Sequence, residues 1–183
     1  MRITSGEFRG RTVDAPAGAD VRPTQDRVRE ALFSMLGECV RGAAFLDLFA
    51  GSGAVGLEAV SRGASRAAFV ESAARPFACL SANIARFGAA PRCETFRADV
   101  LAWLAAPART PFDVAFADPP YALCEQGVYQ QLLQLLADGG HVPQGGLFVA
   151  EMTSRRSCDE SPAWELLRDR VYGQSRLAVY RRK

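Results

Sequence analysis

Four carboxylates, Asp47, Glu71, Asp99 and Asp118, each sit at or just past the end of a short apolar run. Between the first two lies Asp47-Leu48-Phe49-Ala50-Gly51-Ser52-Gly53-Ala54-Val55-Gly56, which contains a Gly-x-Gly-x-x-Gly, and Glu71 follows Gly51 by 20 residues. Glycines at Gly51 and Gly53, around Ser52, let backbone approach a ligand, and an acid at the place of Glu71 takes ribose hydroxyls. Taken alone, the pattern is also that of any tight strand-to-helix turn. Asp47 adds a constraint, because a carboxylate at the strand tip repels a pyrophosphate and attracts a cation. S-adenosylmethionine has an ammonium, a sulfonium and no phosphate, so it suits such a tip. Asp99 is placed to accept from an adenine amino group. Each acid could singly be a helix N-cap. Together they make an electronegative crevice.

The most specific run is Asp118-Pro119-Pro120-Tyr121. Two prolines cannot continue a strand and fix a rigid turn. An exocyclic amine on a nucleobase is a poor nucleophile, because its lone pair is delocalised into the ring. A carboxylate on one N–H and a backbone carbonyl on the other draw that nitrogen toward tetrahedral geometry. Asp118 and the Pro119 carbonyl are the candidates, and Tyr121 would stack on a base taken out of its helix or loop. Stiffness matters here, since a misplacement of about 1 Å costs roughly 100-fold in rate.

These residues need strand tips to hold them, and the chain supplies strands alternating with helices. Thr24 is an N-cap candidate, and Val28, Ala31, Leu32, Met35 and Leu36 form an apolar helical stripe ended by Gly37. Strands are expected near residues 43–49, 67–71, 93–98, 112–117 and 147–150. Helices are expected near 53–62, 77–87, 99–105 and 128–136, with a terminal hairpin about Gly173. Such alternation implies an α/β fold with a parallel sheet covered on both faces, whose ligands sit beyond the carboxyl ends of the strands.

Length and composition bound the rest. A chain of 183 residues and 19.8 kDa, 49% hydrophobic and 23% charged, is an ordinary globular domain. No apolar run reaches the ~18 residues of a membrane span, and the N-terminus has no signal-peptide core. The five cysteines form no Cys-x-x-Cys and His141 is the only histidine, so no metal site is expected and a reducing cytoplasm is the expected compartment. Residues 1–41 carry 7 Arg against 6 acids, 42–154 carry 7 basic against 10 acidic, and 155–183 carry 8 against 4. Basic ends either meet phosphates or form a solvated surface. The basic residues are 21 Arg to 1 Lys throughout, which reads as genome composition.

Beyond these readings, the chain resembles the bacterial 16S ribosomal RNA guanine-N2 methyltransferases of the small subunit. The likeness runs through Arg2-Ile3 with Gly6-x-Phe8-Arg9-Gly10-Arg11, then Arg22-Pro23-Thr24-x-Asp26-Arg27-Val28-Arg29-Glu30-Ala31-Leu32-Phe33. It continues through residues 47–59, Ser61-Arg62-Gly63-Ala64 and Asp118-Pro119-Pro120-Tyr121. The glycine and proline motifs mark amino-methyltransferases in general, and the two N-terminal segments mark this family. Thr4-Ser5 stand where the family usually has a glycine or another small residue.

The resemblance implies S-adenosylmethionine-dependent methylation of one guanine at N2. The substrate implied is 16S rRNA in the 30S subunit or its assembly intermediate. The fold implied is a Rossmann-like class I methyltransferase: a seven-stranded, mostly parallel sheet with a reversed last strand, plus a small N-terminal β-hairpin. That corresponds to an extension at 1–21 and a methyltransferase domain at 22–183. Carried onto this sequence, Asp47, Gly51, Ser52 and Gly53 line the cofactor, Glu71 takes the ribose, and Asp99 with Val100 flank the adenine. Arg22 and Thr24 belong to a turn over the methionine end. Asp118 to Tyr121 hold the base, and Arg2, Phe8, Arg9 and Arg11 contact RNA. A monomer is expected. The alternatives are adenine-N6 or cytosine-N4 methylation, a dinucleotide oxidoreductase, and a non-catalytic RNA-binding assembly factor. His141 and the cysteines are assigned to core or surface.

Overall fold

The computed structural model describes residues 1–15 and 26–183. In chain order the elements are α1 (Asp26–Leu36), β1 (Ala44–Leu48), α2 (Ala54–Ser61), β2 (Arg66–Val70), α3 (Ala74–Phe87), β3 (Cys93–Phe96) and α4 (Val100–Leu104). Then come β4 (Val114–Ala117), α5 (Tyr121–Cys124), α6 (Val128–Asp138), β5 (Leu147–Thr153), β6 (Trp164–Tyr172) and β7 (Ser175–Arg182). All seven strands join one sheet in the order β3-β2-β1-β4-β5-β7-β6. β1 to β5 pair in parallel, while β7 is antiparallel to both β5 and β6. The strand order runs outward in both directions from the β1–β4 junction, so the switch point falls there.

Strand alternation sorts the core into two layers. Phe45, Ala67, Phe69, Val114, Phe116, Val149, Leu177 and Val179 pack with α1, α2 and α3. Leu46, Leu48, Ala68, Val70, Ala115, Ala117, Phe148 and Ala150 pack with α4 and α6. The central strands are therefore apolar on both faces, as a covered parallel sheet requires. The sequence misses α5, which is a single turn between the proline pair and Gly127.

Residues 1–15 form a hairpin-like loop rather than two full strands. One antiparallel bridge joins Arg2 to Thr12, with Ile3 N–H donating to the Arg11 carbonyl and Val13 N–H to that of Met1. Ile3, Phe8 and Val13 are buried in the first core layer. Each such side chain contributes about 1.5–3 kcal/mol.

A buried ion pair fastens α1 and this loop to α2. Arg29 and Glu58 side chains are both 0% exposed and meet at 2.7 Å. Arg62 adds a second charge on Glu58 at 2.9 Å. The Thr4 N–H and hydroxyl also donate to Glu58, and Arg29 donates to the Arg2 carbonyl. The expected Thr24 cap and the division at 21/22 lie outside the described residues.

Candidate active site

The glycine turn owes its shape to different demands at each glycine. Gly51 and Gly53 both have left-handed backbones, φ +56° and +82°. A Cβ on Gly51 would meet nothing within 4 Å, so the turn is open there. On Gly53 it would lie 2.4 Å from Leu80 Cδ1, and on Gly56 2.2 Å from the Phe69 ring. Gly51 leaves room above the backbone, Gly53 lets α3 approach the turn, and Gly56 lets α2 seat on the sheet. Phe49, the residue before this turn, is also left-handed at φ +59°, a strained state for a bulky side chain. Asn83 on α3 steadies the turn by donating to the Ser52 carbonyl at 2.9 Å.

The acids sit around the switch point. Asp47 is 2% exposed, and its Oδ2 accepts from the Gly56 N–H at 2.8 Å. Burial pushes its pKa up to about 8; the Gly56 hydrogen bond opposes this and the Glu71 charge adds to it. Glu71 accepts from the Gly51 N–H on one oxygen and the Ala73 N–H on the other. Asp99 is exposed and caps α4, accepting from the Ala102 N–H at 2.9 Å. Asp118 follows β4 directly. Its pKa lies well above the usual carboxylate range, first through burial and then through the charges of Glu151 and Asp47.

The proline turn does what its sequence requires. Pro120 ends the extended stretch at φ −54°, ψ 145° and caps α5. Leu123 N–H donates to the Pro120 carbonyl at 2.9 Å. Tyr121 opens α5 and is 67% exposed, a large ring presented to solvent beside Asp118.

Glu151 on β5 is absent from the sequence-based set. It is 6% exposed, and Ser175 Oγ donates to its Oε1 at 2.9 Å. The signal for it was an acid directly after the apolar run Leu147-Phe148-Val149-Ala150, the same kind of position that the other four acids hold. Phe49 was missed because nothing in the residue type announces a positive φ.

Several expectations need correction. Phe8 is 4% exposed, with its ring edge-on to Phe87 at 5.2 Å, so it fills the core and offers no face to a base. Arg11 lies over both rings and donates to the carbonyls of Arg86 and Phe87 at the end of α3, which commits it to the fold. Arg2 and Arg9 are exposed. Val100 is buried with Leu104 because the first turn of α4 turns its apolar side to the sheet, so Asp99 alone of that pair faces outward. Arg22 and Thr24 lie outside the described residues. His141 is buried, its Nε2 3.0 Å from the carbonyls of Leu104 and Ala106. Among the described residues no cluster of His, Cys, Asp or Glu is placed to hold a metal, and no helix is long and apolar enough to cross a membrane.

Thus Asp47, the Gly51–Gly53 turn, Glu71 and the Asp118–Tyr121 turn converge at the carboxyl ends of β1, β2 and β4. Among the described residues no ion pair involves Asp47, Glu71 or Asp118. A crevice of acids with one open glycine suits a cationic ligand with a ribose.

The family profile described as "Conserved hypothetical protein 95" matches residues 1–181. Ribosomal RNA small subunit methyltransferase D of Escherichia coli (strain K12) is 35% identical over 184 residues, which is all of this chain and 90% of that protein. Among solved structures, "Putative methyltransferase yhhF from Escherichia coli" superposes with a TM-score of 0.89 at 35% identity, covering 100% of this chain and 98% of that one. The likeness in fold extends to the T. thermophilus 16S rRNA N2 G1207 methyltransferase, in complex with AdoMet and guanosine. That structure has a TM-score of 0.71 at 22% identity and covers 91% of this chain and 45% of that one.

Proposed function

The chain belongs to the Conserved hypothetical protein 95 family, with the small-subunit rRNA methyltransferase D of E. coli among its relatives, and from that premise we propose that it methylates the exocyclic N2 of a guanine in 16S rRNA. Its cofactor is S-adenosylmethionine, and its substrate is the 30S subunit or an assembly intermediate of it. The observation that carries this reading is the rigid Asp118–Tyr121 turn at the switch point, with a half-buried carboxyl and an exposed ring three residues apart.

S-adenosylmethionine supplies, when bound, a methyl group activated on a sulfonium. The residues fit it: Gly51 leaves space above the turn, and the acids balance its positive charge. Asp47 holds the ammonium end through the electrostatics of its buried carboxyl, Glu71 takes the ribose, and Asp99 faces the adenine. Asp118 and the Pro119 carbonyl each accept one N–H of the target amine. Both sit on a turn stiffened by two prolines, so little ordering is left for the moment of reaction. Tyr121 offers its face to the flipped base.

The test is to incubate purified protein with S-adenosylmethionine and unmethylated 30S subunits, digest the RNA, and identify the methylated nucleoside by mass spectrometry. N2-methylguanosine is expected. N6-methyladenosine or N4-methylcytidine would overturn the guanine assignment. The absence of any product, with naked 16S RNA and DNA also tried, would overturn methyl transfer.

A further inference from the structure

The sheet register places two acids side by side. Leu48, Val70, Ala117 and Ala150 lie in one row across β1, β2, β4 and β5. One residue further, the same row reads Phe49, Glu71, Asp118 and Glu151. Strand alternation sends Glu151 to the face of Val149, the side of α1 and α2, where Asp47 also points. Adjacent strands lie about 4.8 Å apart, so side chains level on β4 and β5 are direct neighbours.

Resting on the methyl-transfer reading above, we propose that Glu151 is a positioning residue for Asp118, holding that carboxyl ready to receive the proton the target amine must lose. The nitrogen lone pair forms the new N–C bond while the C–S bond breaks and leaves its electron pair on sulfur. The nitrogen then carries a positive charge and passes one proton to Asp118. A carboxylate beside an acid with little access to water makes that acid a better proton acceptor.

The surroundings support this role. Glu151 is held from two sides: Ser175 Oγ donates to its Oε1 at 2.9 Å, and the Tyr129 hydroxyl donates to its carbonyl at 2.7 Å. An acid buried in an otherwise apolar strand costs stability, which argues for a use beyond packing. The groups facing Asp118 are Glu151 from β5, Asp47 from β1 and the Tyr129 hydroxyl from α6. Glu71 faces Asp47 in turn, and Cys124 and Arg156 face Tyr129. From α1, Arg29 is engaged by Glu58 and Asp26. The raised proton affinity of Asp118 names Glu151 as its second cause after burial.

The experiment titrates the Asp118 carboxyl by carbon-13 NMR in cofactor-free protein and measures kcat against pH for transfer to 30S subunits. It compares wild type, Glu151→Gln, Glu151→Asp and Ser175→Ala. In Glu151→Gln the Asp118 midpoint is expected to fall by about one unit or more, a ten-fold loss of proton affinity. The plateau kcat is expected to fall roughly 10- to 100-fold, with KM changed less than about three-fold. Glu151→Asp keeps the charge and should hold the midpoint. Ser175→Ala should leave the midpoint within about 0.3 unit, well inside the shift expected from losing the charge. An Asp118 midpoint that does not move in Glu151→Gln overturns the proposal. Transfer by wild type with an unmoved titration overturns the role of Glu151 alone. No transfer by wild type overturns the methyl-transfer reading and this role with it.

Discussion

Glu71 ties the end of β2 to the turn after β1: its Oε2 accepts from the Gly51 N–H at 2.9 Å and its Oε1 from the Ala73 N–H at 2.7 Å. The acid assigned to the ribose is thus also the clamp that fixes the glycine turn. In Glu71→Gln only one side-chain oxygen remains to serve two donors, and the new NH2 group opposes the other. Stability should fall by about 1–2 kcal/mol in urea unfolding. S-adenosylmethionine affinity should fall at least ten-fold by calorimetry. Unchanged affinity would remove Glu71 from the cofactor site.

Asp118→Asn should separate chemistry from folding. Methyl transfer should drop by about 100- to 1,000-fold, measured as labelled methyl incorporated into 30S subunits. The melting temperature should hold or rise, because the variant relieves a half-buried acid of its acidic neighbours Glu151 and Asp47. A large fall in melting temperature would mark Asp118 as structural.

Asp47 makes the protein pH-sensitive in a definite direction. Its folded pKa of about 8 lies above the ordinary 3.8, so between those values the folded state binds more protons than the unfolded state. The stability Asp47 contributes is present below about pH 4 and is lost as pH rises toward 8. A cation favours the ionised form, so cofactor affinity should rise over pH 6–8 with uptake of a proton by buffer. Calorimetry in buffers of differing ionisation enthalpy measures this. Affinity flat with pH, with no proton released, would contradict it.

The N-terminal loop should divide into core and surface residues. Phe8→Ala should cost about 3–5 kcal/mol, the range for an aromatic removed from a core. Arg9→Glu should leave unfolding unchanged, and it should weaken RNA binding and flatten its salt dependence by roughly one charge. Filter binding at several salt concentrations tests the second half. An Arg9→Glu variant with full RNA affinity would move the RNA surface elsewhere.

The order of strands and helices was legible because a parallel sheet covered on both faces forces apolar strands to alternate with amphipathic helices. The glycines, the proline pair and the strand-tip acids were legible because backbone geometry and charge constrain residue type there. Phe8 misled because an aromatic between arginines reads alike whether its ring faces a base or Phe87. Glu151 escaped because its importance lies in register, and cross-strand neighbours 33 positions apart leave no mark on local spacing.

β7 lies between β5 and β6 although it follows both in the chain. The place beside β5 must therefore stay vacant until β7 exists, and β6 can join the sheet only through it. The two strands meet through a tight turn at Gly173 and pair over residues 164–182, so they form one local hairpin that meets β5 through β7. That docking also brings Ser175 to Glu151. The piece of chain that closes the sheet thus also supplies the hydroxyl that holds the last acid of the row.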